Sequence, residues 1–135
     1  MPGKLGDQYE AELSKAGCTP KEAESLVKRI GKPFRDVFDI ALQKNTTPDL
    51  LSRACMVGDA LETDITGGCA AGIDTIWILT DGVYAPEFEA ASQNGTPLID
   101  AAHSILADFN QDKATTYAKD LPDQWPTVSM PHFRW

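Results

Sequence analysis

A chain of 135 residues, 42% of them hydrophobic, is long enough to bury one core and not comfortably two. A formal net charge of −8 and a pI near 4.6 leave no basic face of the kind nucleic acid requires, and no apolar run approaches a membrane span. The three cysteines, Cys18, Cys55 and Cys69, are scattered, with neither a disulfide framework nor a CxxC metal pair. With no signal-peptide pattern at the N-terminus, a reducing, cytoplasmic compartment is expected.

In chain order, Leu5, Tyr9 and Leu13 recur at helical spacing and predict a short amphipathic helix, broken at Gly17. Thr19-Pro20-Lys21-Glu22 reads as a capping box with proline at the first helical position. The segment Leu26 to Ile30 fits either the end of that helix or a short strand. Gly31-Lys32-Pro33 punctuates the chain. Phe34, Val37, Phe38, Ala41 and Leu42 then follow a helical period. Thr47-Pro48 restarts it, and Ala54 to Val57 is a continuous apolar run expected as a strand buried on both faces.

That run stops at Gly58-Asp59. Thr63-Asp64 is a fitting start for a helix that closes at Gly72. Thr75 to Leu79 is a second buried strand, ending at Thr80-Asp81-Gly82. Pro86 opens another helix. Pro97 precedes one more, whose face carries Leu98, Ala102, Ile105 and Phe109. The stretch Trp125 to Trp135 contains Pro126 and Pro131, which restrict it to an edge strand or an extended tail. Strands alternating with helices predict an α/β fold with a parallel sheet flanked by helices, and ligands in such sheets lie beyond the carboxyl ends of the strands. Gly58-Asp59 and Thr80-Asp81 occupy those ends.

Asp59 follows a buried strand directly, and Asp64 lies near a helix N-terminus, where free N–H groups favour an anion. Two carboxylates converging on one crevice suit a hard cation such as Mg²⁺, which keeps several waters and takes one or two protein carboxylates. The plainer alternative is that Asp64 caps a helix and Asp59 makes a turn. Lys32, between a glycine and a proline, can carry a compact positive charge to the same crevice, where it suits a phosphoryl group and holds a neighbouring carboxylate ionised. Its plainer alternative is a solvated surface lysine.

Taken together, Gly31-Lys32-Pro33, then a helix, a strand and Val57-Gly58-Asp59-Ala60-Leu61-Glu62-Thr63-Asp64-Ile65, resemble the haloacid dehalogenase superfamily. The similarity is greatest to its class IIA branch, which includes phosphoglycolate and pyridoxal-phosphate phosphatases. Gly68, Ala71-Gly72 and Thr75 follow at matching offsets, and the resemblance is firm over residues 28–83. It implies the C-terminal half of a Rossmann-like core in one domain over residues 1–135, and a Mg²⁺-dependent phosphatase acting on a small phosphorylated metabolite. It implies Lys32, Asp59 and Asp64 as site residues. Lys32 would neutralise the phosphoryl group, Asp59 would ligate the metal, and Asp64 would orient Asp59 or a metal-bound water. Gly68 and Gly72 would let the helix approach the sheet.

The superfamily's aspartate nucleophile sits in a DxD motif ahead of the lysine motif, and the residues before Lys32 contain none. The cap domain that selects substrate would also lie upstream. The expectation is therefore a fragment, inactive alone, with an exposed sheet edge open to self-association. The competing function is a non-catalytic module that binds metal, phosphate or a partner. Leu79 stands where Ile78-Leu79-Thr80-Asp81-Gly82-Val83 would need a carboxylate to act as a nucleophile motif, so that segment is read as strand and loop. His103 and His132 are read as surface residues.

Overall fold

The computed structural model describes residues 2–45, 52–112 and 123–134. The expected restart at Thr47-Pro48 lies outside them, as does Trp135. Helix α1 spans Pro2–Lys15 and α2 spans Pro20–Leu26. The capping box at α2 is complete: the Thr19 hydroxyl accepts from the Glu22 N–H at 3.3 Å, and the Glu22 carboxylate accepts from the Thr19 N–H at 2.8 Å. α2 stops at Leu26, so residues 27–30 form no strand. They run instead beside α1, where the Arg29 guanidinium pairs with Asp7 at 2.8 Å and Glu10 at 2.5 Å. The apolar stripe expected on α1 is present but uncovered, with Leu5 and Tyr9 both exposed.

Helix α3, Arg35–Asn45, follows the Gly31-Lys32-Pro33 turn. Strand β1 is Cys55–Gly58. A π-helical turn, Leu61–Ile65, leads into α4, Thr66–Ala71, and then β2, Asp74–Ile78. Helices α5, Ala85–Gln93, and α6, Leu98–Asp112, precede β3, Val128–Met130. Among the described residues the sheet has the order β1-β2-β3, with both pairings parallel. Gly58 stands opposite Trp77, and Ile78 opposite Met130. This is the expected α/β arrangement, a small parallel sheet flanked by helices, a partial Rossmann-like core.

The core is built on the central strand. Trp77 and Leu79 pack with Leu61 and Ile65 of the π turn, Phe88 of α5, and Ala101, Ala102, Leu106 and Phe109 of α6. The Trp77 ring meets Tyr84 edge-on at a centroid distance of 5.7 Å and Phe88 at 5.8 Å. Strand β1 departs from expectation: Cys55 is exposed and Met56 to Gly58 are only half-buried. It lies at one edge of the described sheet, so its apolar run is covered on fewer sides than a central strand's would be. The proline-flanked tail forms the opposite edge strand. Thr75 and Thr127 there exchange reciprocal hydrogen bonds at 3.1 and 3.2 Å. No described helix is long and apolar enough to cross a membrane.

Two glycines of the α4 segment differ in role. A Cβ on Gly68 would lie 2.5 Å from the Thr75 methyl and 2.9 Å from the Met56 Cβ, so this glycine sets the helix–sheet distance. Gly72 meets nothing within 4 Å. Its φ of +74° instead closes α4 in the left-handed conformation, so it serves as a cap and not as a packing contact. We expect Gly68→Val to lower the unfolding free energy by about 2 kcal/mol through overpacking. A lower urea midpoint at unchanged slope is the reading, and a wild-type midpoint would refute so close an approach.

Candidate active site

All three described strands run in parallel, so their carboxyl ends open on one side of the sheet. The predicted residues gather there. Lys32 arrives from the turn before α3, in which the Phe34 N–H donates to the Gly31 carbonyl at 2.9 Å and Gly31 adopts φ +130°. The Lys32-Pro33 peptide is cis. Because α3 begins at Arg35, Pro33 lies in the turn ahead of it. The turn is seated on α4, because a Cβ on Gly67 would fall 2.4 Å from the Phe38 ring and 3.2 Å from the Pro33 Cα.

The Lys32 ammonium forms an ion pair with Asp64 Oδ1. Lys32 is half-exposed, whereas the Asp64 side chain is only 5% exposed. The second Asp64 oxygen accepts from the Ala60 N–H at 3.2 Å. Asp64 folds back onto the strand end because the π turn is wide: the Ile65 N–H donates to Ala60 O at 3.2 Å, and the Thr66 hydroxyl to Leu61 O at 2.7 Å. Gly58 makes room, since a Cβ there would sit 2.3 Å from Asp64 Oδ2. Asp64 therefore caps no helix through its side chain. It is a buried anion satisfied by one cation and one N–H.

Asp59 lies between the two residues that Asp64 touches, but its carboxylate turns toward the loop after β2. Its Oδ2 accepts from the Val83 N–H at 2.8 Å, and its carbonyl accepts from Trp77 Nε1 at 3.1 Å. Among the described residues it shares no hydrogen bond or ion pair with Lys32 or Asp64, and its Oδ1 accepts no hydrogen bond. The structure thus brings Lys32 and Asp64 into contact and places Asp59 at the same strand end with one oxygen unengaged.

Could these residues hold Mg²⁺? A half-buried carboxylate oxygen without a donor is a fitting ligand for a hard cation. Among the described residues no three His, Cys, Asp or Glu side chains converge. A cation at Asp59 would therefore complete its shell from water or a phosphoryl oxygen, as Mg²⁺ does. Asp64 has both oxygens occupied and fits an orienting role.

Sequence reasoning passed over several residues. Trp77 and Val83 hold Asp59, and Gly82 gives it space, for a Cβ on Gly82 would lie 2.2 Å from the Asp59 Cβ. Tyr84 donates to Glu62 at 2.9 Å, and burial together with Glu62 pushes the phenol well above its ordinary pKa. His132 is exposed, as expected, and its ring has partners: its Nδ1 is 2.8 Å from Asp81 Oδ1 and 3.0 Å from Thr80 Oγ1. The Thr80-Asp81-Gly82 turn signal was the available hint, but no local pattern says that a tail fifty residues on will reach it.

A family model described as HAD-hydrolase-like matches residues 29–121. The pyrimidine 5'-nucleotidase YjjG of Escherichia coli (strain K12) is 47% identical over 58 residues, covering 43% of this chain and 25% of that protein. Phosphoglycolate phosphatase 2 of Arabidopsis thaliana is 46% identical over 65 residues, or 48% of this chain and 20% of the relative. Glycerol-3-phosphate phosphatase of Gallus gallus is 30% identical over 112 residues, or 79% and 34%. The chain aligns with only about a fifth to a third of the length of these curated relatives. No solved structure matches it.

The ion pair makes a direct prediction. Lys32→Met strands a buried carboxylate and should cost about 1–2 kcal/mol, discounted because the lysine is half in solvent. Adding Asp64→Asn should recover part of that loss, giving a coupling energy near 1 kcal/mol in a double-mutant cycle of urea midpoints. Additive effects would show that the two groups do not interact.

Proposed function

The chain belongs to the HAD-like hydrolase family, and from that premise we propose that it is the phosphate- and metal-recognising half of a Mg²⁺-dependent phosphohydrolase of the class IIA type. Its substrate is a small phosphorylated metabolite. The observation that carries this reading is the Lys32–Asp64 ion pair at the strand ends, beside an Asp59 carboxylate with one oxygen free among the described residues. The relatives support it through their names: two are phosphatases and one a nucleotidase.

In this reading Asp59 Oδ1 is the metal ligand. The Val83 N–H bond to Oδ2 fixes its direction, and the Trp77 bond holds the Asp59 backbone carbonyl behind it. Asp64 keeps Lys32 at the strand end, and the half-exposed ammonium neutralises a phosphoryl group that enters there. Mg²⁺, when bound, offsets further charge on the phosphoryl oxygens. Attack on phosphorus needs a carboxylate nucleophile in this superfamily, and no DxD occurs in the 135 residues. That group is therefore supplied from outside this sequence. The chain alone binds and does not turn over, in keeping with the small share of its relatives that it spans. The outer edge of β1, unpaired among the described residues, is the proposed route to self-association. Three free thiols fit a cytoplasmic setting.

Titrating the chain with MgCl₂ should give a saturable change in tryptophan fluorescence that Asp59→Asn abolishes, because Trp77 is bonded to Asp59. p-Nitrophenyl phosphate should remain unhydrolysed. An Mg²⁺ response that survives Asp59→Asn would sink the metal assignment. Turnover lost in Asp59→Asn would instead show that the chain is catalytically complete.

A further inference from the structure

The third strand end brings to this site a side chain that the proposed function leaves unused. After β3 the chain continues as Pro131–Arg134 across the loop that follows β2. The Leu79 N–H donates to the Met130 carbonyl at 2.9 Å, and the Thr80 N–H to the Pro131 carbonyl at 3.0 Å. The Thr80 hydroxyl directs its single hydrogen to the same carbonyl at 2.5 Å. Its 3.0 Å contact with His132 Nδ1 therefore requires the ring to donate. Asp81 Oδ1, 2.8 Å from that nitrogen, is also an acceptor. Nδ1 thus carries a proton shared between Thr80 and Asp81, whether or not the half-exposed ring is charged. The His132 bond, helped by the Phe133 backbone and the Arg134 charge, holds the Asp81 carboxyl below its usual range.

The other side of the same loop meets Asp59. The space left by the missing Gly82 side chain is filled by the Asp59 carboxylate, whose Oδ2 would lie 2.2 Å from a Cβ built there. The next residue, Val83, supplies the N–H on Oδ2 at 2.8 Å. Among the described residues that is the hydrogen bond orienting the Asp59 carboxylate, since the Trp77 bond fixes only the backbone carbonyl. The path is short and continuous: tail, Thr80-Asp81, Gly82, Val83, Asp59.

We infer that His132 is a positioning residue for Asp59, pinning Thr80 and Asp81 from the tail so that the Val83 N–H holds the Asp59 carboxylate in its direction. Its value to a cation rests on the reading of Asp59 as a metal ligand; the pinning itself does not. The tail is then part of the site and not only an edge strand. In the five-residue loop between Leu79 and Ala85, Asp81 is held by the tail alone among its described partners, through the His132 ring with the Phe133 backbone beside it.

The Val83 amide reports the arrangement directly, with or without metal. In proton–nitrogen correlation spectra of the full chain, His132→Ala should speed Val83 amide exchange about tenfold while the β2 amides keep their protection. His132→Asn, whose side-chain N–H can donate from near the Nδ1 position, should restore most of it. In the Mg²⁺ titration His132→Ala should weaken the apparent affinity about tenfold, the scale of lost support behind a metal ligand. Wild-type protection at Val83 in His132→Ala would overturn the inference. So would loosening of Val83 and the β2 amides together without rescue by asparagine, which would mark His132 as merely structural. If Val83 exchange depends on His132 but wild-type chain shows no Asp59-dependent response to Mg²⁺, the pinning stands and the metal assignment falls.

Discussion

Asp64 is a charge taken out of water, and the shape of the site follows from how that charge is satisfied. A carboxylate only 5% exposed costs several kcal/mol in lost hydration unless a cation and hydrogen-bond donors replace the water. Lys32 supplies the cation and Ala60 the donor. Each depends on a local feature with no purpose of its own. Gly31 at φ +130° turns the chain so that Lys32 points back to the sheet. Gly58 leaves the space that Asp64 fills, and the wide turn after Ala60 brings Asp64 over that space. The glycine-lysine-proline and glycine-aspartate motifs are thus two sides of one electrostatic contact, although about thirty residues separate them.

Asp59 is held by a different logic. It stands beside the ion pair but takes no part in it, so among the described residues it keeps an oxygen free. What fixes it comes from β2 and the following loop: an indole N–H on its carbonyl and a backbone N–H on its carboxylate. A site made from neighbouring strand ends is what a parallel sheet provides, because every strand delivers its loop to the same side. The third strand extends this inward support, since its tail clasps the loop that touches Asp59.

The parts that were legible in the sequence are those with local causes. The capping box at Thr19, the helix closure at Gly72, and the strand over Thr75 to Leu79 each follow from a pattern a few residues long. So does the place of Asp59 directly after a strand, although the turning of its carboxylate toward Val83 rather than toward Asp64 does not. What the sequence hid depends on neighbours. The apolar run at Cys55 to Val57 looks like a doubly covered strand, but its burial is decided by what lies on either side, and in the described sheet it is an edge. Leu26 to Ile30 has the composition of a strand yet finds no described partner, and Arg29 draws it along α1 instead. His132 looks idle because its partners, Thr80 and Asp81, lie about fifty residues away.

Burial is distributed unevenly, and this bears on Lys32. Every member of the main core cluster lies between Leu61 and Phe109, around Trp77. Before residue 46 the described buried residues are Ala23, Pro33 and Phe38, while Leu5, Tyr9, Leu26 and Ile30 face outward. Two of those three, Pro33 next to Lys32 and Phe38 in the helix that follows, press on Gly67, which has no side chain to keep them away. The lysine's place at the strand ends therefore depends on a small apolar contact between the turn, α3 and α4, together with its own ion pair to Asp64. Neither is large alone: a shallow contact contributes little hydrophobic stabilisation, and a half-exposed lysine is partly screened. They reinforce each other because the contact sets the distance at which the ion pair forms, and the ion pair closes the turn onto α4. A side chain at Gly67 would thus weaken the charge arrangement from a position that touches neither charged group.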